Sequence, residues 1–174
     1  MKVVTNLICG TPLPRMAKVR QKFDAACIPA DKVRETVLKE LSREEIASRI
    51  EPGMRIAVTC GSRGIGGGAV MAKAIVDFIR ERGAEPFITA AMGSHGGSTA
   101  EGQLQILTDY GIIETAMGCP VKSSMEVVEI GKTEEGDPVM MDKNAAEADG
   151  IFLFNRVKPH TSYRGCLLYT SDAA

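Results

Sequence analysis

Residues 56–66, Ile-Ala-Val-Thr-Cys-Gly-Ser-Arg-Gly-Ile-Gly, decide how this chain is read. A short apolar run leads directly into a glycine-rich loop. Beyond it, residues 69–82 carry Val70, Ala74, Ile75 and Phe78 at helical spacing until Gly83 stops the pattern. A strand, a glycine-rich turn and an amphipathic helix in succession form the unit from which parallel sheets are built. Residues 86–91 start a second unit, which continues through the loop Met-Gly-Ser-His-Gly-Gly-Ser (92–98) into a helix over 99–110 capped by Ser98 or Thr99. A third strand is expected at 151–154, entered from a short helix at 144–148 and left through the loop 155–165. The expected fold class is α/β, a mainly parallel sheet with flanking helices.

Upstream of these units, residues 31–41 read as a helix with Asp31 as N-cap and Val33, Val37, Leu38 and Leu41 on one stripe. Residues 42–45 have the form of a capping box that starts another helix, running to about residue 50, where Pro52 and Gly53 end it. Between the second and third units, residues 125–130 and 138–141 read as a hairpin turning at Glu134-Glu135-Gly136-Asp137.

Composition narrows the functional classes. The 174 residues are 44% apolar and 25% charged, as in a globular domain with a real core. Lysine plus arginine number 21 against 22 acids, with no basic run, so the footprint of a nucleic-acid binder is missing and a small ligand is the expected partner. The first 14 residues are too broken by Asn6, Gly10 and two prolines to form a signal-peptide core, and no apolar run approaches the roughly 20 residues of a membrane helix. Five cysteines, at 9, 27, 60, 119 and 166, are odd in number and free of any CxxC pair, which signals neither a disulfide framework nor a zinc site. Reduced thiols in a cytoplasm are the expectation.

In open α/β sheets, ligands bind at the carboxyl ends of the strands, where loops converge and helix N-termini offer free N–H groups. The loop after the first strand carries Arg63, the next His95, and the third Lys158, His160 and Arg164. The chain has two histidines, and both lie in these loops. Imidazole titrates near neutrality and so suits acid/base work. Gly93, Gly96 and Gly97 beside His95 let the backbone approach a ligand closely. The plainer alternatives are a helix-capping or solvated imidazole for each histidine, and surface charge for Lys158 and Arg164.

The stretch Thr59-Cys60-Gly61-Ser62-Arg63-Gly64-Ile65-Gly66 also looks like the cofactor loop of short-chain dehydrogenases. Three features oppose that reading. Cys60 stands where the first glycine makes the tight turn. Residues 1–54 precede a strand that ought to be the first, and Tyr163 is not followed by the lysine of a Tyr-x-x-x-Lys pair. A nicotinamide-dependent oxidoreductase and a non-catalytic nucleotide- or metabolite-binding module are retained as alternatives.

From roughly residue 8 to 165 the sequence resembles the lactate racemase family, in its N-terminal domain. The most specific stretches are 56–66 (IAVTCGSRGIG), 90–103 (AAMGSHGGSTAEGQ), 125–131 (MEVVEIG) and 155–165 (NRVKPHTSYRG). The resemblance implies a two-domain racemase or epimerase of a small 2-hydroxy acid, lactate or a relative. It also implies a nickel pincer nucleotide whose ring accepts and returns a hydride. His95 and His160 match the family's two acid/base histidines, and Arg63 matches the arginine that grips the substrate carboxylate. Thr59, Gly61 and Ser62, from the first of these loops, are the candidate cofactor contacts. No metal ligand is expected in this chain, because the cofactor-bearing lysine and the nickel-ligating histidine fall beyond the equivalent of Gly165. One departure concerns substrate choice: Cys60 stands where the family pattern Asp-x-x-Arg has its aspartate.

Residues 166–174 break from that pattern and resemble a read-through tail. The expected organisation is an incomplete racemase-like domain over 1–165, followed by a non-native tail. The chain by itself is expected to be inactive, and its oligomeric state cannot be read from the sequence.

Overall fold

A computed structural model describes residues 16–20, 22 and 27–156. The elements begin with α1 (Val33–Leu41), preceded by a 3-10 turn at Ala30–Lys32, and α2 (Glu44–Ala47). Next come β1 (Arg55–Cys60), α3 (Gly68–Glu81), β2 (Glu85–Ala90), a 3-10 turn at Gly96–Ser98 and α4 (Ala100–Asp109). They are followed by α5 (Glu114–Met117), β3 (Val121–Lys122), the hairpin β4 (Val127–Lys132) and β5 (Pro138–Asp142), α6 (Lys143–Ala146) and β6 (Gly150–Phe152). The four strands β3-β2-β1-β6 form one sheet in that order, and every pairing in it is parallel. This is the α/β class read from the sequence.

Alternate residues of β1 and β2 divide the core between the two sheet faces. Ile56, Val58, Cys60 and Ile88 join Ile75 and Ile79 of α3 and Leu107 of α4 in the main cluster, whereas Ala57 and Phe87 meet Ala145 of α6. The helices α3 and α4, which connect β1 to β2 and β2 to β3, thus cover one face. The connection from β3 to β6 brings α6 against the other.

Several local expectations change on contact with the structure. Asp31 is not an N-cap, because a 3-10 turn precedes α1 and no side chain caps that helix. Nor do residues 42–45 form a capping box. The Ser42 hydroxyl donates to the Leu38 carbonyl of the preceding helix at 2.7 Å, leaving Arg43 as an uncapped N-cap for the four-residue α2. Val70 is 45% exposed rather than inward, because the first turn of α3 borders an open cavity and its buried stripe starts only at Ala72. Thr99, not Ser98, caps α4, its hydroxyl accepting from Gly102 N at 3.0 Å. The hairpin forms about the expected turn, closed by Gly136 at φ 92°, with its first strand at Val127–Lys132 rather than 125–130.

Candidate active site

The strand order fixes where a ligand can sit. The chain passes from β1 to β2 on one side and reaches β6 on the other, so the order reverses at β1, and a crevice opens between the carboxyl ends of β1 and β6. A cavity of about 250 Å³ occupies that crevice. Cys60, Gly61 and Arg63 line it from the loop after β1, Phe154 from the exit of β6, Tyr110 and Ile112 from the end of α4, and the first turn of α3 from below.

The loops are tied together by specific bonds. Ala91 N donates to the Cys60 carbonyl at 2.8 Å, which extends the β1–β2 ladder past the last strand residues. Thr59 is buried, and its hydroxyl accepts from Phe154 N at 3.0 Å, fixing the exit of β6 against β1. Gly61 is half-buried, with Asn155 and the Ala91 carbonyl close to the space a side chain would fill. A further tie comes from the end of α4, where the Tyr110 hydroxyl donates to the Ser62 carbonyl at 2.7 Å.

His95 follows β2 and is half-buried. Its Nδ1 is hydrogen-bonded to the Ser62 hydroxyl, so the second loop's histidine meets the first loop directly. The backbone beneath it is held by Gln103, which is 3% exposed. Its Nε2 donates to the Gly93 carbonyl at 2.8 Å and to the His95 carbonyl at 3.4 Å, while its Oε1 accepts from Ser123 at 3.5 Å. Gly96 and Gly97 adopt positive φ, and Gly96 packs against α4 so closely that a Cβ there would lie 2.6 Å from the Gly102 carbonyl carbon. Only glycine fits that approach.

Arg63 is exposed on the cavity wall. Cys60 is 1% exposed, and burial, with a smaller contribution from nearby Cys119, pushes its thiol up to about 12. A neutral thiol therefore faces the cavity where a carboxylate would bring charge. Of the sequence candidates, Thr59, Gly61, Ser62, Arg63 and His95 gather at the strand ends, whereas Lys158, His160 and Arg164 lie outside the described residues. Tyr110 and Gln103 were not singled out from the sequence. Both sit in helical segments whose polar residues look like ordinary surface, and only the packing of α4 against the two loops assigns them a task.

Among the described residues no group of three or more histidine, cysteine, aspartate or glutamate side chains could hold a metal ion. These residues offer acid/base, hydroxyl and backbone groups and do not compose a nickel ligand set. No helix among them is long and apolar enough to cross a membrane.

The fold is an open parallel α/β sheet, the class in which ligands bind beside a strand-order reversal, and the loops bearing Arg63 and His95 lie at that end of the strands. Comparison with family models is more specific: the lactate racemase N-terminal domain model matches residues 13–165, and the chain belongs to that racemase-related family. Searches of curated proteins and of solved structures give no match.

Proposed function

We propose that this chain is the N-terminal catalytic part of a racemase or epimerase acting on a small 2-hydroxy acid. The observation that carries the reading is the meeting of His95 with the Arg63-bearing loop, through Ser62, at the end of the parallel sheet. Inverting the C2 centre of a 2-hydroxy acid through its 2-keto form requires the hydroxyl proton to leave and return, and an imidazole held at a strand end suits that exchange. His95 takes this proton for one enantiomer, and His160 serves the other. Arg63 binds the carboxylate, since a planar guanidinium grips two oxygens at once and leaves C2 free to present either face.

The hydride that also leaves C2 needs an acceptor. A nickel pincer nucleotide, when bound, supplies that electrophilic ring. Of the candidates Thr59, Gly61 and Ser62, the proposed contacts to it are Gly61 and the Ser62 backbone, since the Thr59 hydroxyl is buried against Phe154 N and the Ser62 hydroxyl is held by His95. No nickel ligand is assigned to the described residues. The cytoplasm is the proposed compartment, consistent with thiols at Cys27, Cys60 and Cys119. Lactate, malate and sugar acids are the candidate substrates.

The strand order β3-β2-β1-β6 is shared with dinucleotide-binding sheets, so an oxidoreductase remains the second reading on topology alone. It is weakened by the Cys60 side chain, buried where a glycine would form the phosphate turn. The test is to load the whole protein by co-expression with the cofactor-making enzymes and incubate it with a panel of enantiopure 2-hydroxy acids. Loss of optical rotation with at least one is expected. No loss with any, together with tight NADPH binding, would replace the racemase with the oxidoreductase. Ligand binding without turnover would instead favour a metabolite-binding module.

A further inference from the structure

His95 stands on a loop with glycines on both sides, a poor support for a ring that has to present one nitrogen in one direction. The backbone half of that difficulty is met by Gln103, whose buried amide holds the carbonyls of Gly93 and His95. Both of these bonds go to backbone carbonyls and so do not set the ring's own side-chain torsions. Contact with the ring comes from across the site: the Ser62 hydroxyl is bonded to Nδ1. That hydroxyl is well anchored. Its residue follows Gly61 at the end of β1, its carbonyl accepts from Tyr110 at 2.7 Å, and the preceding Cys60 carbonyl is bonded to Ala91 N at 2.8 Å.

We propose that Ser62 is the positioning residue for His95: its hydroxyl ties Nδ1, fixes the plane of the ring and leaves Nε2 as the nitrogen that exchanges protons with the ligand. This rests on the reading of His95 as an acid/base group.

The chemistry favours a hydroxyl for this task. An imidazole that must both accept and return a proton passes between neutral and cationic forms, and Nδ1 needs a partner through both. A serine hydroxyl accepts from Nδ1–H in either form and can also donate when Nδ1 is bare. The neighbouring candidate, Cys60, is buried and its thiol is a weak hydrogen-bonding group. Because Ser62 bonds to the ring rather than to substrate, its loss should disturb the proton-transfer step more than substrate capture.

The experiment uses Ser62→Ala and Ser62→Thr in two settings. In the 174-residue chain labelled with ¹⁵N-histidine, two-bond ¹H–¹⁵N correlation spectra report both nitrogens of each ring, with His95→Asn assigning the signals. Ser62→Ala is expected to move the His95 nitrogens toward the averaged values of a free imidazole, while Ser62→Thr keeps them near the wild-type positions and the His160 signals stay put. Unchanged His95 signals in Ser62→Ala, or equal displacement in both variants, would overturn the proposal.

In the cofactor-loaded whole protein, Ser62→Ala should lower kcat by about tenfold to a hundredfold, with KM changed less than about threefold, and Ser62→Thr should recover most of the loss. A loss carried wholly by KM, or one that threonine fails to restore, would also overturn it. Absence of racemisation in the wild-type protein would count against the proposed function alone, since the nitrogen spectra still decide whether Ser62 holds the ring.

Discussion

The two faces of the four-stranded sheet are built unequally. On one, α3 and α4 press Ile75, Ile79 and Leu107 onto Val58, Cys60 and Ile88, and the cluster continues to Leu41 below and Met117 beyond. On the other, the buried hydrophobic set among the described residues is Ala57, Phe87 and Ala145, with Met141 and Ala148 partly covered, beside the buried threonines Thr59 and Thr89. Parallel sheets are ordinarily covered on both faces. The difference shows that the site loops are anchored from one side: α3 and α4 begin where the loops after β1 and β2 end, and their packing sets the positions of Ser62 and His95.

The most severe disruption of the well-covered face is expected from Gly102→Ala. Helix propensity alone would favour alanine by about 1 kcal/mol in α4. The added Cβ, however, would lie 1.9 Å from the Gly96 carbonyl oxygen, so the His95 loop must move. A net loss of about 3 kcal/mol or more in urea unfolding is expected, together with displaced His95 resonances. Stability equal to or above wild type would mean that the loop is not anchored on α4.

Next in size is Leu107→Ala. The side chain is fully buried between α4 and the sheet, and its truncation should cost about 3 kcal/mol. Phe87→Leu probes the thinner face. Phe87 is 4% exposed with the Lys122 ammonium 4.6 Å from its ring centre, and this shorter substitution should cost about 1 kcal/mol. If Phe87→Leu proved as costly as Leu107→Ala, the two faces would contribute alike and the asymmetry would not be energetic.

The same asymmetry explains what was legible in the sequence. Runs of apolar residues followed by glycine-rich loops identified β1 and β2, because strands buried on both faces need little alternation. A short apolar run identified β6, although its Ile151 is 40% exposed. The hairpin was legible from its turn, Glu134-Glu135-Gly136-Asp137 between two apolar stretches, and not from a buried face, since its strands are mostly exposed. The short elements α5 and β3 were not legible. Their geometry depends on bonds that no local pattern announces, Arg80 of α3 donating to the Gly118 carbonyl at 3.0 Å and the Glu114 carboxylate of α5 accepting from Val121 N of β3 at 3.0 Å. In the site, His95 and Arg63 stood out as chemically distinctive residues in glycine-rich loops. The Ser62–His95 bond did not, since 33 residues separate the partners and only the parallel register of β1 and β2 brings them together.

A smaller effect is expected where α1 joins the covered face. Asp77 of α3 is bonded to Arg34 of α1 at 2.9 Å and also to Lys73. Partial burial pushes its carboxyl up, but the hydrogen bonds and charges of Lys73 and Arg34 outweigh this, and the net result lies below the usual carboxylate value. A depressed folded-state pKa gives stability that is present above the unfolded carboxylate value and is lost as pH falls through the folded one. Asp77→Asn should therefore cost about 0.5–1 kcal/mol at pH 7, discounted because both cations are more than a third exposed, and almost nothing near pH 2. A cost that persists undiminished in acid would point to packing rather than charge.

The smallest effect should come from the hairpin, whose two strands contain no buried residue. Ile130 is 52% exposed, Val127 54% and Met140 50%, and Ile130 falls where the β4–β5 register shifts, so it has no directly opposed partner. A side chain already in water loses little when made polar. Ile130→Ser should change the unfolding free energy of the 174-residue chain by less than about 0.5 kcal/mol. The measurement belongs at two protein concentrations. A loss above about 1 kcal/mol that grows with concentration would mean that the hairpin is covered by a second copy. The thin face would then be completed by association, and the inequality between the two faces would belong to the isolated chain rather than to the protein at work.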